Sequence, residues 1–225
     1  MNKLLKKVCN SQKVIRLLRS FGNLRYYFSD NTLIIYSGLK NLITKRKLYE
    51  KNFTVLTGSD ERFFDPLKQL LNNLKIHNYI NNTIVYDLGL NNEQVKELTK
   101  DFSEIKIMKF NFEELPNFIS ERDSTGTLGA YAWKANIVLD QLKMKKEIVI
   151  WMDAANLVNK KFKRVLIVLT NMGFFSPVSA GTVKNYTHPN TIQELNYPRE
   201  LLSKRNLTGG FVGFDYNNPA SLKLA

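Results

Sequence analysis

Cysteine is almost missing from this 225-residue chain: Cys9 is the single one. An internal disulfide framework and a cysteine-based zinc site are therefore excluded, and the redox compartment stays open. Nowhere do about 18 apolar residues follow one another, so the sequence predicts no membrane-spanning helix. Glycine and proline number only 11 and 6, too few for a low-complexity chain. Acidic residues are short in one region alone. The whole chain carries 33 Lys and Arg against 20 Asp and Glu, a formal net charge of +13. Residues 1–51 hold 12 basic and 2 acidic residues, whereas residues 52–225 hold 21 and 18. A uniformly basic nucleic-acid-binding domain would not divide this way, and no nucleic acid partner is expected. What is present is core material, with 44% hydrophobic and 12% aromatic residues, enough for one large domain or two small ones.

The charge division suggests a boundary: a basic helix and connecting arm over 1–51, then a domain over 52–225. Residues 2–21 read as an amphipathic helix, with Leu4, Val8, Ile15 and Leu18 on one stripe and Lys6, Lys7, Lys13, Arg16 and Arg19 around it. Charges interrupt every candidate apolar segment of a secretory signal, which makes a cytoplasmic location the expectation. Such a helix either lies on an anionic membrane surface, a membrane-peripheral placement, or packs on the main domain with its charges in water. Thr32–Tyr36 is the one strand-like piece before residue 52.

From Phe53 the pattern becomes regular. Short apolar strands are predicted over Phe53–Leu56, Thr83–Tyr86, Ile105–Met108 and Glu147–Met152. Helices alternate with them: one carrying Phe64, Leu67, Leu71 and Leu74, one capped by Asn92, and one over 130–144 with Trp133, Ile137 and Leu142. A further helix carries Phe162, Val165, Leu166, Leu169 and Met172, with Gly173 as its cap. Gly209–Phe214 reads as a glycine pair and a final strand. This alternation implies an α/β fold with a mostly parallel sheet flanked by helices. Such sheets bind ligands at the carboxyl ends of their strands. Thr57-Gly58-Ser59, Asp87 and Asp153 all fall at such ends.

The common nucleotide motifs are missing: no G-x-x-x-x-G-K-[ST], no G-x-G-x-x-G after a strand, and no G-x-S-x-G elbow. What remains is Trp151-Met152-Asp153-Ala154-Ala155-Asn156, a carboxylate and an amide at the end of a buried strand. Oxygen ligands of this kind suit a hard divalent cation; an Asp here equally serves as a turn or helix cap.

Taken in order, Tyr86-Asp87-Leu88-Gly89-Leu90, Gly129-Ala130-Tyr131-Ala132-Trp133-Lys134 and Trp151-Met152-Asp153 resemble nucleotide-sugar glycosyltransferases of the GT-A (nucleotide-diphospho-sugar transferase) fold, and within them an uncharacterised glycosyltransferase-like family. The resemblance runs from about Phe53 to Phe214. It implies that Thr57, Gly58 and Ser59 face the donor nucleoside and that Lys134 approaches the pyrophosphate, unless Lys134 is an ordinary exposed helix lysine. Asp153 matches the first acid of the Asp-x-Asp motif that binds metal and ribose. Ala155 stands where the second acid belongs, with Asn156 one position later, and this weakens the implied divalent cation, Mn2+ or Mg2+. Thr187-His188 matches a threonine-histidine pair, making His188 a second metal candidate beside Asp153, or a turn histidine before Pro189. Gly209 and Gly210 match a glycine pair that lets a ligand approach closely, and equally suit a tight turn. Family members continue beyond this point, so the domain is expected to be C-terminally shortened.

The resulting expectation is transfer of a sugar from a nucleotide-diphosphate donor to an unknown glycan, lipid or protein acceptor. The alternative is a non-catalytic sugar-nucleotide or glycan-binding protein of the same fold. No catalytic residue is assigned; Asp215, near the last strand, is a weak candidate for a base. A third reading is a protein that uses its basic arm to bind a membrane surface or nucleic acid.

Overall fold

The computed structural model describes residues 52–122, 126 and 129–224, all of which belong to one compact unit. The helix expected over 2–21 and the strand over Thr32–Tyr36 lie outside the described residues.

Six strands make the main sheet. β1 (Phe53–Ser59), β2 (Thr83–Asp87), β3 (Lys106–Lys109) and β4 (Ile148–Met152) run parallel. β8 (Phe211–Asp215) pairs antiparallel with β4, and β5 (Phe174–Phe175) antiparallel with β8. Their spatial order is β3-β2-β1-β4-β8-β5. The four parallel strands are those expected from the apolar runs. β1 reaches further than its apolar residues: pairing with β2 continues through Thr57↔Val85, Gly58↔Tyr86 and Ser59↔Asp87.

Helices cover both faces. On one, α1 (Phe64–Ile76) presents Phe64, Leu67, Leu71 and Leu74, the stripe read from the sequence. α2 (Asn92–Asp101) and α5 (Phe162–Met172) complete that layer through Leu98, Phe162 and Leu169. The opposite layer consists of the short α3 (Asn117–Ser120) and α4 (Trp133–Lys145), with Ile119, Trp133, Ile137, Val138 and Leu142 packed on Leu56, Ile84, Val149 and Trp151. Strand alternation assigns these residues: Val55 faces the first layer and Leu56 the second.

Local chemistry sets the helix ends. Asn91, not Asn92, caps α2, because its side chain and Gln94 form a reciprocal capping box. α4 starts at Trp133 rather than 130, since Gly129–Tyr131 forms a 3-10 turn. Gly129 has φ +53, and a Cβ there would lie 2.2 Å from the Ile119 carbonyl oxygen, so only glycine fits. Gly173 closes α5 in the left-handed region, as expected.

Between β5 and β8 the chain makes an excursion that periodicity does not reveal. β6 (Val178–Thr182) and β7 (Arg205–Leu207) pair as a separate two-stranded sheet, joined through α6 (Val183–Tyr186) and α7 (Pro189–Glu194). A last helix, α8 (Pro219–Leu224), follows β8.

Candidate functional site

The order β3-β2-β1-β4 places consecutive crossovers on opposite sides of β1, so a crevice opens between the carboxyl ends of β1 and β4. Register fixes what meets there. Leu56 is level with Trp151, so Gly58 and Asp153, two residues on in each strand direction, come level as well. A cavity of about 150 Å3 lies at this point, lined by both residues and by Ser59, Asp60, Arg62, Phe63, Leu88, Tyr131, Trp133, Lys134, Ala154 and Ala155.

Gly58 is the floor. A Cβ added there would stand 3.0 Å from Leu88 Cδ1, 3.2 Å from the Tyr86 carbonyl oxygen and 3.3 Å from Trp151 Cη2. The Trp151 indole, 1% exposed, runs from beneath Gly58 toward Asp153 and donates its Nε1–H to Asp153 Oδ1 at 2.7 Å. Trp133 packs edge-on against it, with ring centroids 5.4 Å apart.

The same Asp153 oxygen receives Lys134 Nζ at 2.6 Å. Lys134 reaches it from the first turn of α4 and lies 4.5 Å from the centroid of the Tyr131 ring, a cation–π contact. Tyr131 itself is held at φ +65. That is a costly conformation for a bulky residue, and such strain concentrates at ligand sites. Its ring and that of Phe63 form exposed aromatic surface at the cavity.

The loop bearing Asp153 is tied to the turn before β8. Asp153 N–H donates to the Gly210 carbonyl at 2.8 Å. Asn156 Nδ2 donates to the same carbonyl at 2.7 Å and to Asp153 O at 3.1 Å. Asn156 therefore fastens the loop with its amide nitrogen. Gly210 leaves room for the carboxylate: a Cβ there would fall 3.0 Å from Asp153 Oδ2. Nothing stands within 4 Å of a Cβ at Gly209.

A second carboxylate, Asp60, was not expected from the sequence. It is buried and gathers two guanidinium groups. Arg62 Nε and Arg122 Nη2 donate to its Oδ2 at 3.2 and 3.0 Å, and both arginines also donate to the Gly126 carbonyl. Asp60 lies one residue past Thr57-Gly58-Ser59, so the strand-end argument extends to it. Tyr131 lies within the Gly129–Lys134 segment and was likewise within reach. Arg122 is 62 residues from Asp60, and no sequence spacing announces that contact.

Other expected site residues lie elsewhere. Thr57 is fully buried on the opposite side of β1 from Gly58, and its Oγ1 meets no partner among the described residues. Ser59 lines the cavity, but its hydroxyl donates to the Asp60 carbonyl. Asp87 lines a neighbouring depression with Lys96, Lys109 and Phe112; its Oδ1 accepts the backbone N–H groups of Gly89 and Leu90, the turn role open to any strand-end Asp. His188 caps α7, its Nδ1 accepting from Asn190 N–H, and it is not among the cavity residues. Asp215 pairs with Ile148, at the amino end of β4. Four strand steps of about 3.3 Å separate Ile148 from Met152, so Asp215 sits at the far end of the sheet from Asp153. The base role considered for it is ruled out by the antiparallel direction of β8.

A divalent cation of the Mn2+ or Mg2+ kind requires several converging oxygen ligands. Asp153 Oδ1 already accepts two donors, Asp60 Oδ2 accepts two guanidinium groups and its Oδ1 the Arg62 N–H, and Ala154 and Ala155 offer no side-chain ligand. Among the described residues no three His, Cys, Asp or Glu side chains converge as an ion site. The donor set does not fit such a cation.

The sheet order, the helices on both faces and the crevice at the switch point define a GT-A-type glycosyltransferase fold. The bifunctional glycosyltransferase WbbM, in its apo form, aligns with a TM-score of 0.51 and 15% identity over 76% of this chain and 33% of its own. The chain thus spans about a third of that protein. At this identity the likeness establishes the fold alone. Weaker matches are the galactosyltransferase LgtC with donor and acceptor sugar analogues (TM-score 0.45, 11% identity, 72% of this chain and 58% of that one) and core-mannan synthase A from Aspergillus fumigatus in its Mn/GDP form (0.48, 8%, 78% and 63%). In sequence, residues 32–140 match the model of a family described as a protein of unknown function, DUF1647. No curated protein matches the chain. Among the described residues no helix is long and apolar enough to cross a membrane.

Proposed function

We propose that the protein is a glycosyltransferase that binds a nucleotide-diphosphate sugar in the crevice between β1 and β4. The observation that carries this reading is the Lys134–Asp153 pair at the switch point of the sheet, set beside exposed aromatic rings and a glycine floor. Each part has a task. The Phe63 and Tyr131 rings offer flat apolar surface to a nucleobase, and Gly58 allows close approach. The Lys134 ammonium has three N–H donors and gives one to Asp153, which leaves two for diphosphate oxygens. Held in a partly enclosed cleft, it stabilises the charge that grows on the departing diphosphate. Asp153 orients that ammonium and the Trp151 indole, and its Oδ2 is the oxygen left for a ribose hydroxyl.

A second reading, a non-catalytic sugar-nucleotide binder, is favoured by one specific feature. The only carboxylates lining the cavity among the described residues are Asp60 and Asp153, and both are held by cations. A base would then come from the acceptor side or from elsewhere in the chain. The acceptor, whether glycan, lipid or protein, is left open by this reading, and contact of residues 1–51 with an anionic membrane surface is a separate proposal supported by their charge, 12 basic residues against 2 acidic, with packing of the basic helix on the main domain as its alternative.

A thermal-shift screen of nucleotide-diphosphate sugars, followed by donor-hydrolysis and transfer assays on any hit, tests both readings. Asp153→Asn and Lys134→Ala are each expected to weaken donor binding by at least ~1 kcal/mol, the scale of a lost charged hydrogen bond, with the fold intact and cooperative melting retained. Calorimetric titration showing unchanged affinity in both variants would overturn the site. Binding without hydrolysis or transfer would select the second reading.

A further inference from the structure

We infer that this cleft binds the diphosphate group without a divalent cation, its charge being met by Lys134 and the Arg62–Arg122 pair; the inference rests on the donor-binding reading above. Three observations lead to it. First, one oxygen of the carboxylate that a cation would need is already engaged, and the other is a single ligand. Asp153 Oδ1 lies 2.6 Å from Lys134 Nζ and 2.7 Å from Trp151 Nε1; an ion at that oxygen would have to displace an ammonium that is itself only 17% exposed, and an ion at Oδ2 would sit beside the same positive charge. Second, the place of a second acid is taken by Ala155, and no other ligand cluster exists among the described residues.

Third, the cavity already carries fixed cations. Its lining holds Arg62 and Lys134 beside Asp60 and Asp153, and Arg122, outside the lining, shares Asp60 with Arg62. Asp60 is thus held by two guanidinium groups, which leaves Arg62 and Lys134 with N–H groups to spare. The arginines are not free to swing. Asp60 Oδ2 and the Gly126 carbonyl each accept from both guanidinium groups, which fixes their planes. Arg62 uses Nε and Nη2 in these bonds, leaving the two hydrogens of Nη1 for an incoming oxygen. A diphosphate would take up the unused N–H groups of Lys134 and Arg62. Lys134 then supplies the positive charge that a cation would otherwise bring, and Asp153 serves to position the lysine.

The full-length protein titrated calorimetrically with UDP, GDP, ADP and CDP, once in EDTA and once in excess MnCl2, tests this directly. At least one diphosphate is expected to bind in EDTA, with an affinity that Mn2+ changes by less than about threefold, or ~0.65 kcal/mol. Binding seen only with Mn2+, or tightened more than about threefold by it, overturns the inference and leaves the donor site standing. No binding of any diphosphate in either buffer defeats the donor site itself, and the inference with it. Lys134→Gln keeps the length of the side chain and removes its charge. In EDTA it should lose about tenfold or more for the diphosphate, the scale of a charge-assisted hydrogen bond, with little change for the matching nucleoside. Arg62→Gln, away from the Asp153 contact, should lose affinity in the same selective way. Wild-type diphosphate affinity in both variants, or equal losses for diphosphate and nucleoside, overturns the assignment of these cations.

Discussion

Trp151→Phe separates the two contributions of the Trp151 indole. The first is packing: Trp151 is 1% exposed and lies edge-on to Trp133. Replacing indole by phenyl removes about three buried heavy atoms, roughly 2 kcal/mol at ~0.8 kcal/mol per methylene-sized group. The second is the Nε1–H bond to Asp153 Oδ1 at 2.7 Å. A hydrogen bond to a charged group contributes ~1.5–3 kcal/mol, but the Asp153 side chain is 40% exposed. Solvent screening brings the expected value nearer ~1 kcal/mol. Trp151→Phe should therefore cost about 3 kcal/mol in the wild-type background and about 2 in Asp153→Ala, where the acceptor is gone. Urea unfolding of the four proteins of this double-mutant cycle, followed by far-UV circular dichroism, measures the difference. A coupling below about 0.3 kcal/mol, within ordinary additivity error, would show that the indole only fills space and that Asp153 is not oriented through it.

Three further outcomes follow from the described contacts and the composition. Tyr86→Phe leaves buried Gln141 Nε2 without the phenol oxygen it bonds at 2.8 Å and should cost ~1–2 kcal/mol; adding Gln141→Leu should recover most of this, because Gln141 Oε1 already lacks a partner. Burial also raises the Tyr86 phenol above its ordinary value, so the stability it supports is complete below the unfolded phenol's pKa near ~10 and declines as pH rises through the higher folded value; in Tyr86→Phe this part of the alkaline decline in urea melts should disappear. Liposome binding by the whole chain should rise with anionic lipid and fall with salt, and equal binding to neutral and anionic vesicles would remove the electrostatic account of residues 1–51.

β1, β2 and β4 were legible because they are buried on both faces, and an unbroken apolar run such as Ile148–Met152 is too short for a helix but the right length for a covered strand; the edge strand β3, which has no buried residue, was read from Ile105, Ile107 and Met108 alone. The strand ends located Gly58 and Asp153 in the crevice for the same reason: in this topology, sequence position at a strand end is spatial position at the cleft. That correspondence breaks where a polar residue serves its own backbone. Asp87 satisfies two N–H groups of its turn, Asn156 fastens a loop, and His188 caps a helix; in sequence each is indistinguishable from a ligand. Thr57 was misplaced by strand alternation, which sends every second residue away from the cleft. The Asp60–Arg122 contact was invisible because it joins distant segments through side chains alone. The β6–β7 excursion escaped because its strands are half-exposed and lack an apolar period.

Restoring the missing acid tests the logic of the cleft from the other direction. Ala155 lines the cavity, is exposed, and sits in the turn after β4, where Asp is readily accommodated. Ala155→Asp places a second carboxylate two residues after Asp153 without requiring burial of charge. If Asp153 is kept from binding cations only because one acid cannot outcompete Lys134 for it, the added acid should create weak Mn2+ affinity, with a dissociation constant on the order of 10⁻³ M for so sparse a ligand set. Lys134→Ala in the same chain should tighten it, since the competing ammonium is gone. The chain's two tryptophans, Trp133 and Trp151, both lie at the site, so quenching of intrinsic fluorescence by Mn2+ reports occupancy there. The parent protein should show no saturable quenching. Saturable quenching in the parent would mean that Asp153 accepts a cation despite Lys134, whereas a flat response in the Ala155→Asp, Lys134→Ala double variant would mean that something other than the missing acid and the lysine keeps cations out.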